Sequence, residues 1–157
     1  MTTFDTAFEK LLGHEGGYTE GKGDPGGETS FGISKRSYPD EDIKNLTLKR
    51  AKEIYKRDFW DRAQCDKLPA ALAFQVFDAA VNSGIGQSIR FLQRAVGVAD
   101  DGQLGPLTIA AIQRREAPEM IALFNAERLE FMTKLSVWDT FGRGWARRIA
   151  ANLKEAA

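Results

Sequence analysis

Apolar residues recur at helical spacing along most of the chain. An amphipathic helix places apolar side chains three or four positions apart, so that they share one face. Seven stretches follow this pattern, with Thr or Pro near several starts and Gly after several ends. They are Phe4–Leu12, 48–60, 69–83, Gln87–Val96, 106–112, 118–135 and 143–153. The pattern predicts a mainly α-helical fold of about seven helices.

Two stretches lack helical periodicity and predict connections. The segment from Tyr18 to Ser34 is dense in Gly and Pro, which predicts a loop with at most a small β-hairpin. We expect Phe31 and Ile33 to be its buried points. Towards the C-terminus, the segment from Asp139 to Gly144 predicts a break before the last helix.

The composition is that of a stable globular chain. Its 157 residues are 43% hydrophobic, and a chain of this size buries about 70% of its unfolded surface. The net charge is zero, from 22 basic and 22 acidic residues. No global field therefore attracts nucleic acid or an anionic membrane, and we expect no nucleic-acid partner.

The rare residues exclude some kinds of site. Cys65 is the one cysteine, and His14 is the one histidine. An intramolecular disulfide is excluded, and we expect no metal site and no cofactor. Cys65 is expected to pack as a small apolar residue. The N-terminus lacks the pattern of a signal peptide, and no stretch reaches the ~20 apolar residues of a transmembrane segment.

Glu15 stands where a carboxyl group can act as an acid. It follows the first predicted helix and precedes Gly16 and Gly17, which stop a helix. The negative end of the helix dipole disfavours an ionised carboxylate, and desolvation acts in the same direction. We therefore expect the pKa of Glu15 to be raised, so that it can donate a proton to a leaving oxygen.

Asp24 offers a second carboxyl group in different surroundings. It lies in a segment rich in Gly and Pro, where a tight turn is expected. Taken singly, a Glu before Gly-Gly is usually a solvated helix end, and Asp-Pro-Gly-Gly is usually only a turn. Together, Glu15 and Asp24 suit an acid and base pair with separated pKa values, and hydrolysis of a glycosidic bond needs such a pair.

These motifs resemble a known family, the glycoside hydrolase family 108 lysozymes. These are N-acetylmuramidases common in phages and prophages of Gram-negative bacteria. The resemblance implies that Glu15 is the catalytic acid and that the fold is lysozyme-like. By a looser similarity to phage-type lysozymes, Asp24 and Thr29 would position and activate the attacking water. The matching residues are Glu15-Gly16-Gly17-Tyr18 and Asp24-Pro25-Gly26-Gly27, followed by Thr29, Gly32 and Ile33.

The segment Phe77–Gly84 resembles the same family. Asp78 and Asn82 are four positions apart, so on a helix they share one face and could offer an acceptor and an amide to a sugar. Asn82 could equally cap the end of the helix. Tyr18 is a further candidate sugar contact.

The C-terminal part resembles the predicted peptidoglycan-binding region that usually follows the catalytic part in this family. The matching residues run from Phe91 to Thr108, and a plain helix-turn-helix connection is the alternative. We expect a catalytic region at 1–90 and a helical peptidoglycan-binding region at 91–157, packed as one compact unit. The last helix either docks on the core or forms a cationic amphipathic surface that touches the bacterial envelope.

The sequence predicts a peptidoglycan hydrolase that cleaves the β-1,4 bond between N-acetylmuramic acid and N-acetylglucosamine. We expect a monomeric phage or prophage endolysin, made in the cytoplasm and released to the periplasmic wall with a holin. Its partner would be the glycan strand of peptidoglycan. A lytic transglycosylase and a non-catalytic wall-binding phage protein remain alternatives. The Thr29 hydroxyl favours inversion, but sequence spacing does not supply the distance between the two carboxyl groups.

Overall fold

The computed structural model describes residues 1–13, 18–21 and 27–157. In this part of the chain there are seven α-helices and one small antiparallel sheet, so the predicted mainly α fold is confirmed. The helices are α1 Thr3–Leu12, α2 Leu48–Tyr55, α3 Ala70–Ser83, α4 Ile85–Val96, α5 Pro106–Gln113, α6 Ala117–Thr133 and α7 Trp138–Ala156. The strands are β1 Thr29–Ser30 and β2 Ile33–Ser34.

The chain divides into two compact units, Met1–Asp58 and Phe59–Ala157. The predicted catalytic and wall-binding regions, 1–90 and 91–157, concern function, and that assignment stays a prediction. None of the helices in the described residues is long and apolar enough to cross a membrane.

In the first unit, short polar side chains start the helices. The Thr2 hydroxyl accepts from the Asp5 backbone N–H and the Asp5 carboxylate accepts from the Thr2 N–H, which together form a capping box for α1. Thr47 caps α2 in the predicted way, by accepting from the Arg50 N–H at 3.1 Å. The helix predicted to continue to Trp60 ends as an α-helix at Tyr55, and Lys56–Trp60 form a π-helical turn.

The second unit is built around α3, as its apolar sequence predicts. All side chains from Leu72 to Ala80 are buried, and α3 contacts both α4 and α6. The Phe91 ring of α4 packs edge-on against Phe124 and Phe131 of α6. Gly84 ends α3 with a φ of 93°, a conformation that L side chains rarely adopt. The core of this unit is therefore helix packed on helix.

Cys65 is fully buried, which confirms its predicted apolar role. It lies in a short 3-10 turn, Cys65–Lys67. Burial raises the pKa of its thiol to about 12, with smaller contributions from the carboxylates of Asp66 and Asp61. A thiol with such a pKa is unreactive near neutral pH.

The predicted break from Asp139 to Gly144 is wrong. The chain leaves α6 at Thr133, and α7 runs without interruption from Trp138 to Ala156. Gly142 lies inside α7, and the Trp138 ring, four residues earlier, occupies the space that a Cβ at position 142 would need. The glycine therefore serves side-chain packing and does not end a helix.

Candidate functional site

A two-residue turn closes the hairpin between β1 and β2. The strands pair Thr29 with Ser34 and Ser30 with Ile33. The turn residues Phe31 and Gly32 both have positive φ, 51° and 78°, as a tight hairpin turn requires. Ile33 is buried as predicted, but Phe31 is only half-buried, which corrects that prediction. The Tyr55 hydroxyl donates to the Phe31 carbonyl at 2.6 Å and so helps to hold this uncommon backbone.

A second pairing extends the hairpin on its other side. The backbones of Thr19 and Thr29 exchange two hydrogen bonds, with N–O distances of 2.8 and 3.0 Å. Their hydroxyl oxygens are 2.7 Å apart, so one hydroxyl donates to the other. We call Tyr18, Thr19, Glu28 and Thr29 the threonine ladder. A hydroxyl pair has two protons and uses one internally, which leaves the other proton for a further acceptor.

The outer pair of the ladder joins Tyr18 to Glu28. The Tyr18 hydroxyl donates to Glu28 Oε2 at 2.9 Å, and the Tyr18 side chain is 38% exposed. This hydrogen bond, with desolvation and the charge of Glu28, raises the pKa of Tyr18 above its ordinary value. Tyr18 therefore presents a neutral ring and a fixed hydroxyl at a partly exposed position, which suits the predicted sugar contact.

The two predicted carboxyl groups, Glu15 and Asp24, lie outside the described residues. In sequence, Glu15 precedes Tyr18 by three positions, and Asp24 precedes Thr29 by five. The threonine ladder therefore joins the chain that follows Glu15 to the chain that follows Asp24. Helix α1 ends at Leu12 with Gly13 as its C-cap, ahead of Glu15 in the sequence.

Asp78 lies at the centre of a buried polar cluster in the second unit. Its carboxylate accepts from Arg128 Nη1 at 2.8 Å, Arg148 Nη2 at 2.8 Å and Asn152 Nδ2 at 2.7 Å. Burial raises the pKa of Asp78, but the guanidinium groups of Arg128 and Arg148 outweigh that effect and lower it. Because these partners surround the carboxylate, the geometry favours an internal role for Asp78 over the predicted sugar contact.

Asn82 lies one turn further along α3, at the end of the same cluster. Its Oδ1 accepts from Arg128 Nη2 at 3.3 Å, and its side chain is half-buried. The Arg128 bond orients the amide, so that Nδ2 can still be offered to a ligand. The structure thus joins Asp78 and Asn82 through Arg128, while Thr29 and Tyr18 lie in the other unit.

The sequence reasoning missed three residues that hold these side chains. Glu28 has no signal, because its partner Tyr18 is ten positions away across a hairpin. Arg128 did have a sequence signal, because it stands between Phe124 and Met132 at four-residue spacing and so shares their apolar face. A cation on a buried stripe requires a buried partner. Arg148 lies next to Ile149, and its partner Asp78 is seventy positions away.

In the described residues, no group of His, Cys, Asp and Glu side chains is arranged to hold a metal ion.

Comparison with known proteins adds the context for these residues. The glycosyl hydrolase 108 family model matches residues 8–84, and the model described as a predicted peptidoglycan domain matches residues 87–150. The solved structure of Brucella abortus SagA is similar, with a TM-score of 0.88 and 32% sequence identity. That similarity covers 98% of this chain and 93% of the SagA chain. No curated protein matches the sequence.

Proposed function

We propose that this chain, which belongs to the glycosyl hydrolase 108 family, is an N-acetylmuramidase with Glu15 as its general acid. The family and the predicted peptidoglycan domain make it a peptidoglycan hydrolase. The finer proposal is cleavage of the β-1,4 bond between N-acetylmuramic acid and N-acetylglucosamine.

The threonine ladder is the observation that carries this proposal. It joins the residues that follow Glu15 in the sequence to those that follow Asp24, and it holds the Thr29 hydroxyl 2.7 Å from the Thr19 hydroxyl. A hydroxyl held by a neighbour loses little rotational freedom when it binds a water. This fixed hydroxyl supports a hydrolase in which a water is positioned for attack.

The proposed reaction is a single displacement. Glu15 donates its proton to the glycosidic oxygen as the bond to C1 breaks, which neutralises the leaving alkoxide. A water held by Thr29 attacks C1 from the opposite face and transfers a proton to Asp24. The products are a new reducing end and a free hydroxyl, and the anomeric configuration is inverted. This course requires the carboxyl groups to be about 6.5–9.5 Å apart.

Tyr18 and Asn82 are the proposed sugar contacts. Tyr18 offers a partly exposed ring whose hydroxyl is fixed by Glu28. Asn82 offers an amide whose oxygen is held by Arg128. Asp78 then acts through Arg128 as a positioning residue, since its carboxylate is 0% exposed.

The products of digestion test the reaction type. Purified protein is incubated with isolated Gram-negative peptidoglycan, and the fragments are identified by mass spectrometry. The proposal predicts reducing N-acetylmuramic acid ends, with the α-anomer formed first by NMR. Fragments with 1,6-anhydro ends, lighter by one water, would establish a lytic transglycosylase instead. Binding to the wall without cleavage would establish a non-catalytic wall-binding protein.

The Asp24→Asn variant tests the role of the second carboxyl group. A water-activating base is needed for hydrolysis, so we expect at least a hundredfold loss of rate. An unchanged rate would contradict the assignment of Asp24. The Asp40→Asn variant, which also removes one acidic charge in the first unit, is the matched control and should keep the wild-type rate.

The biological setting is also part of the proposal. We propose a monomeric phage or prophage endolysin that reaches the periplasmic wall with the help of a holin. Expression in a bacterial host with and without a holin tests this role. Lysis only with the holin is expected, whereas equal lysis in its absence would show another route of release.

A further inference from the structure

A pocket of about 500 Å³ lies in the second unit beside α5. It is formed by the loop that follows α4 and by one side of α5. Its volume is in the range of about 300–1,000 Å³ that small-ligand sites occupy. The lining residues that matter for ligand binding are Asp101, Gln103, Leu107, Ala110, Ala111 and Arg114. The pocket lies inside the segment matched by the predicted peptidoglycan domain, residues 87–150.

A buried glutamine holds the pocket's loop in place. Gln93 of α4 is 1% exposed, and its Nε2 donates to Asp101 Oδ1 at 2.8 Å and to the Gln103 carbonyl at 2.9 Å. Its Oε1 accepts from the Gly102 N–H at 2.9 Å. The loop that carries Asp101 is therefore fixed to α4, so a ligand would meet a preorganised rim.

The pocket combines an apolar floor with one charge of each sign. Leu107 is 81% exposed at its edge, and the small side chains of Ala110 and Ala111 continue the apolar surface. Asp101 uses Oδ1 for Gln93 and the Gln103 N–H, and no described residue is bonded to its Oδ2. Among the described residues, the guanidinium group of Arg114 has no hydrogen-bond or ion-pair partner, and its backbone N–H donates to the Ala111 carbonyl of α5. Both charges are thus available to a ligand.

The charge of Asp101 persists over a wide pH range. The hydrogen bonds from the Gln93 side chain and from the Gln103 N–H lower the pKa of Asp101. A guanidinium group is not deprotonated in proteins. The pocket therefore presents a carboxylate and a guanidinium together under the conditions of the cell wall.

These features favour the stem peptide of peptidoglycan over its glycan strand as a ligand. A sugar ring is an uncharged, hydroxyl-rich group whose C–H face packs on aromatic rings, and no aromatic residue lines this pocket. The stem peptide instead carries alanine methyl groups, free carboxylates and the ammonium group of a diamino acid. Each of these groups has a counterpart in the pocket.

We propose that this pocket binds the stem peptide of peptidoglycan. Arg114 pairs with a peptide carboxylate, Asp101 pairs with the ammonium group, and Leu107, Ala110 and Ala111 cover the alanine methyl groups. The inference rests on the proposed function, which identifies peptidoglycan as the polymer that the protein binds. It adds that the C-terminal region recognises the peptide, while the catalytic residues act on the glycan.

Titration of the full chain with a defined peptide tests this inference. The probe is the synthetic tripeptide of L-alanine, γ-D-glutamate and diaminopimelate, followed by isothermal calorimetry and by amide NMR shifts. Wild type is expected to bind it, with shifts in the loop 98–105 and in α5. Arg114→Gln is expected to weaken binding about tenfold or more, since a charge-assisted hydrogen bond is lost.

The adjacent arginine supplies the matched control. Arg115 has the same charge but is paired with Glu119 at 2.9 Å and does not line the pocket. Arg115→Gln is expected to bind the tripeptide like wild type. Circular dichroism confirms that both variants are folded. No tripeptide binding by wild type, or equal weakening in the two variants, would overturn the inference.

Peptide-free glycan strands separate this inference from the proposed function. Strands stripped of peptides by an amidase contain the β-1,4 bond but no ligand for the pocket. Cleavage of these strands without tripeptide binding would overturn the pocket assignment and leave the muramidase intact. Tripeptide binding without cleavage of whole wall or stripped strands would overturn the muramidase and leave the pocket assignment intact.

Discussion

Asp78 of α3 and Arg128 of α6 form an ion pair in which neither side chain is exposed, with 2.8 Å between Oδ2 and Nη1. Arg148 and Asn152 of α7 bond to the same carboxylate. One side chain thus joins three helices of the second unit, and removing either arginine leaves the buried carboxylate with a single cation.

Arg128→Ala is expected to destabilise the protein strongly. The substitution leaves Asp78 with one cation and removes a large side chain from the core, so we expect a loss of about 3–5 kcal/mol in the free energy of unfolding. Urea denaturation followed by circular dichroism measures it. Arg115→Ala breaks an exposed pair with Glu119 and is the control, with an expected loss of at most about 0.5 kcal/mol. Similar losses in both variants would contradict a structural role for the buried pair.

The same carboxylate predicts how stability depends on pH. The pKa of Asp78 is held below its ordinary value of 3.8 by Arg128 and Arg148, despite its burial. The unfolded state therefore takes up a proton first as the pH falls. The contribution of Asp78 is fully present above its unfolded pKa and is lost as the pH falls through its folded pKa.

The free energy of unfolding, measured between pH 7 and pH 3, tests that dependence. Wild type is expected to lose more stability on acidification than Asp78→Asn, because the variant has no proton to take up at this position. The other carboxyl groups act alike in the two proteins, so the difference isolates Asp78. Parallel pH curves would contradict the assignment.

Gly142 and Gly144 of α7 predict opposite effects of the same substitution. A Cβ at Gly142 would overlap the Trp138 ring, whereas a Cβ at Gly144 would have no atom within 4 Å. Gly142→Ala is expected to destabilise by about 1–3 kcal/mol through overpacking. Gly144→Ala is expected to stabilise by about 0.5–1 kcal/mol, since alanine favours a helix over glycine. Thermal unfolding of the two variants measures the sign of each change in stability. Stabilisation of both variants would contradict the expected overlap and show that the Trp138 ring moves aside without loss of stability.

The bond between Tyr18 and Glu28 predicts a change in tyrosine ionisation. The Glu28 carboxylate accepts from the Tyr18 hydroxyl and raises the pKa of Tyr18. Glu28→Gln removes the negative charge, so the pKa of Tyr18 should fall towards 10.0, its ordinary value. Ultraviolet titration of tyrosinate detects the change, and a Tyr18→Phe variant identifies the signal. An unchanged titration curve would show that the two side chains are not bonded in solution.

Local sequence signals predicted the helices and most of their ends. Thr47 caps α2, Pro106 begins α5 and Gly84 ends α3, since each of these residues acts on the backbone beside it. Gly142 shows the limit of such signals. The local sequence predicts a helix break at Gly142, but in the structure this glycine makes room for the Trp138 ring. A glycine that ends a helix and one that accommodates a neighbouring ring are distinguished only by their packing.

The candidate site was predicted less completely, because its partners are distant in sequence. Thr29 and Tyr18 were found from a family motif, but the pairing of Thr29 with Thr19 depends on a hairpin whose register the sequence did not show. Asp78 was placed on a helix face correctly, but that face meets Arg148 seventy positions away. Periodicity shows which side chains share a face and not which element covers it. Glu15 and Asp24 stay predictions from the motif.

The Glu15→Gln variant tests the central claim most directly. Wild type, Glu15→Gln and the exposed control Glu9→Gln are compared on isolated peptidoglycan, with new reducing ends as the readout. Loss of a general acid should lower the rate of Glu15→Gln by a factor of about 10² to 10⁴, while Glu9→Gln keeps the wild-type rate. A folded Glu15→Gln variant that releases reducing ends at the wild-type rate would contradict the assignment of Glu15 as the acid.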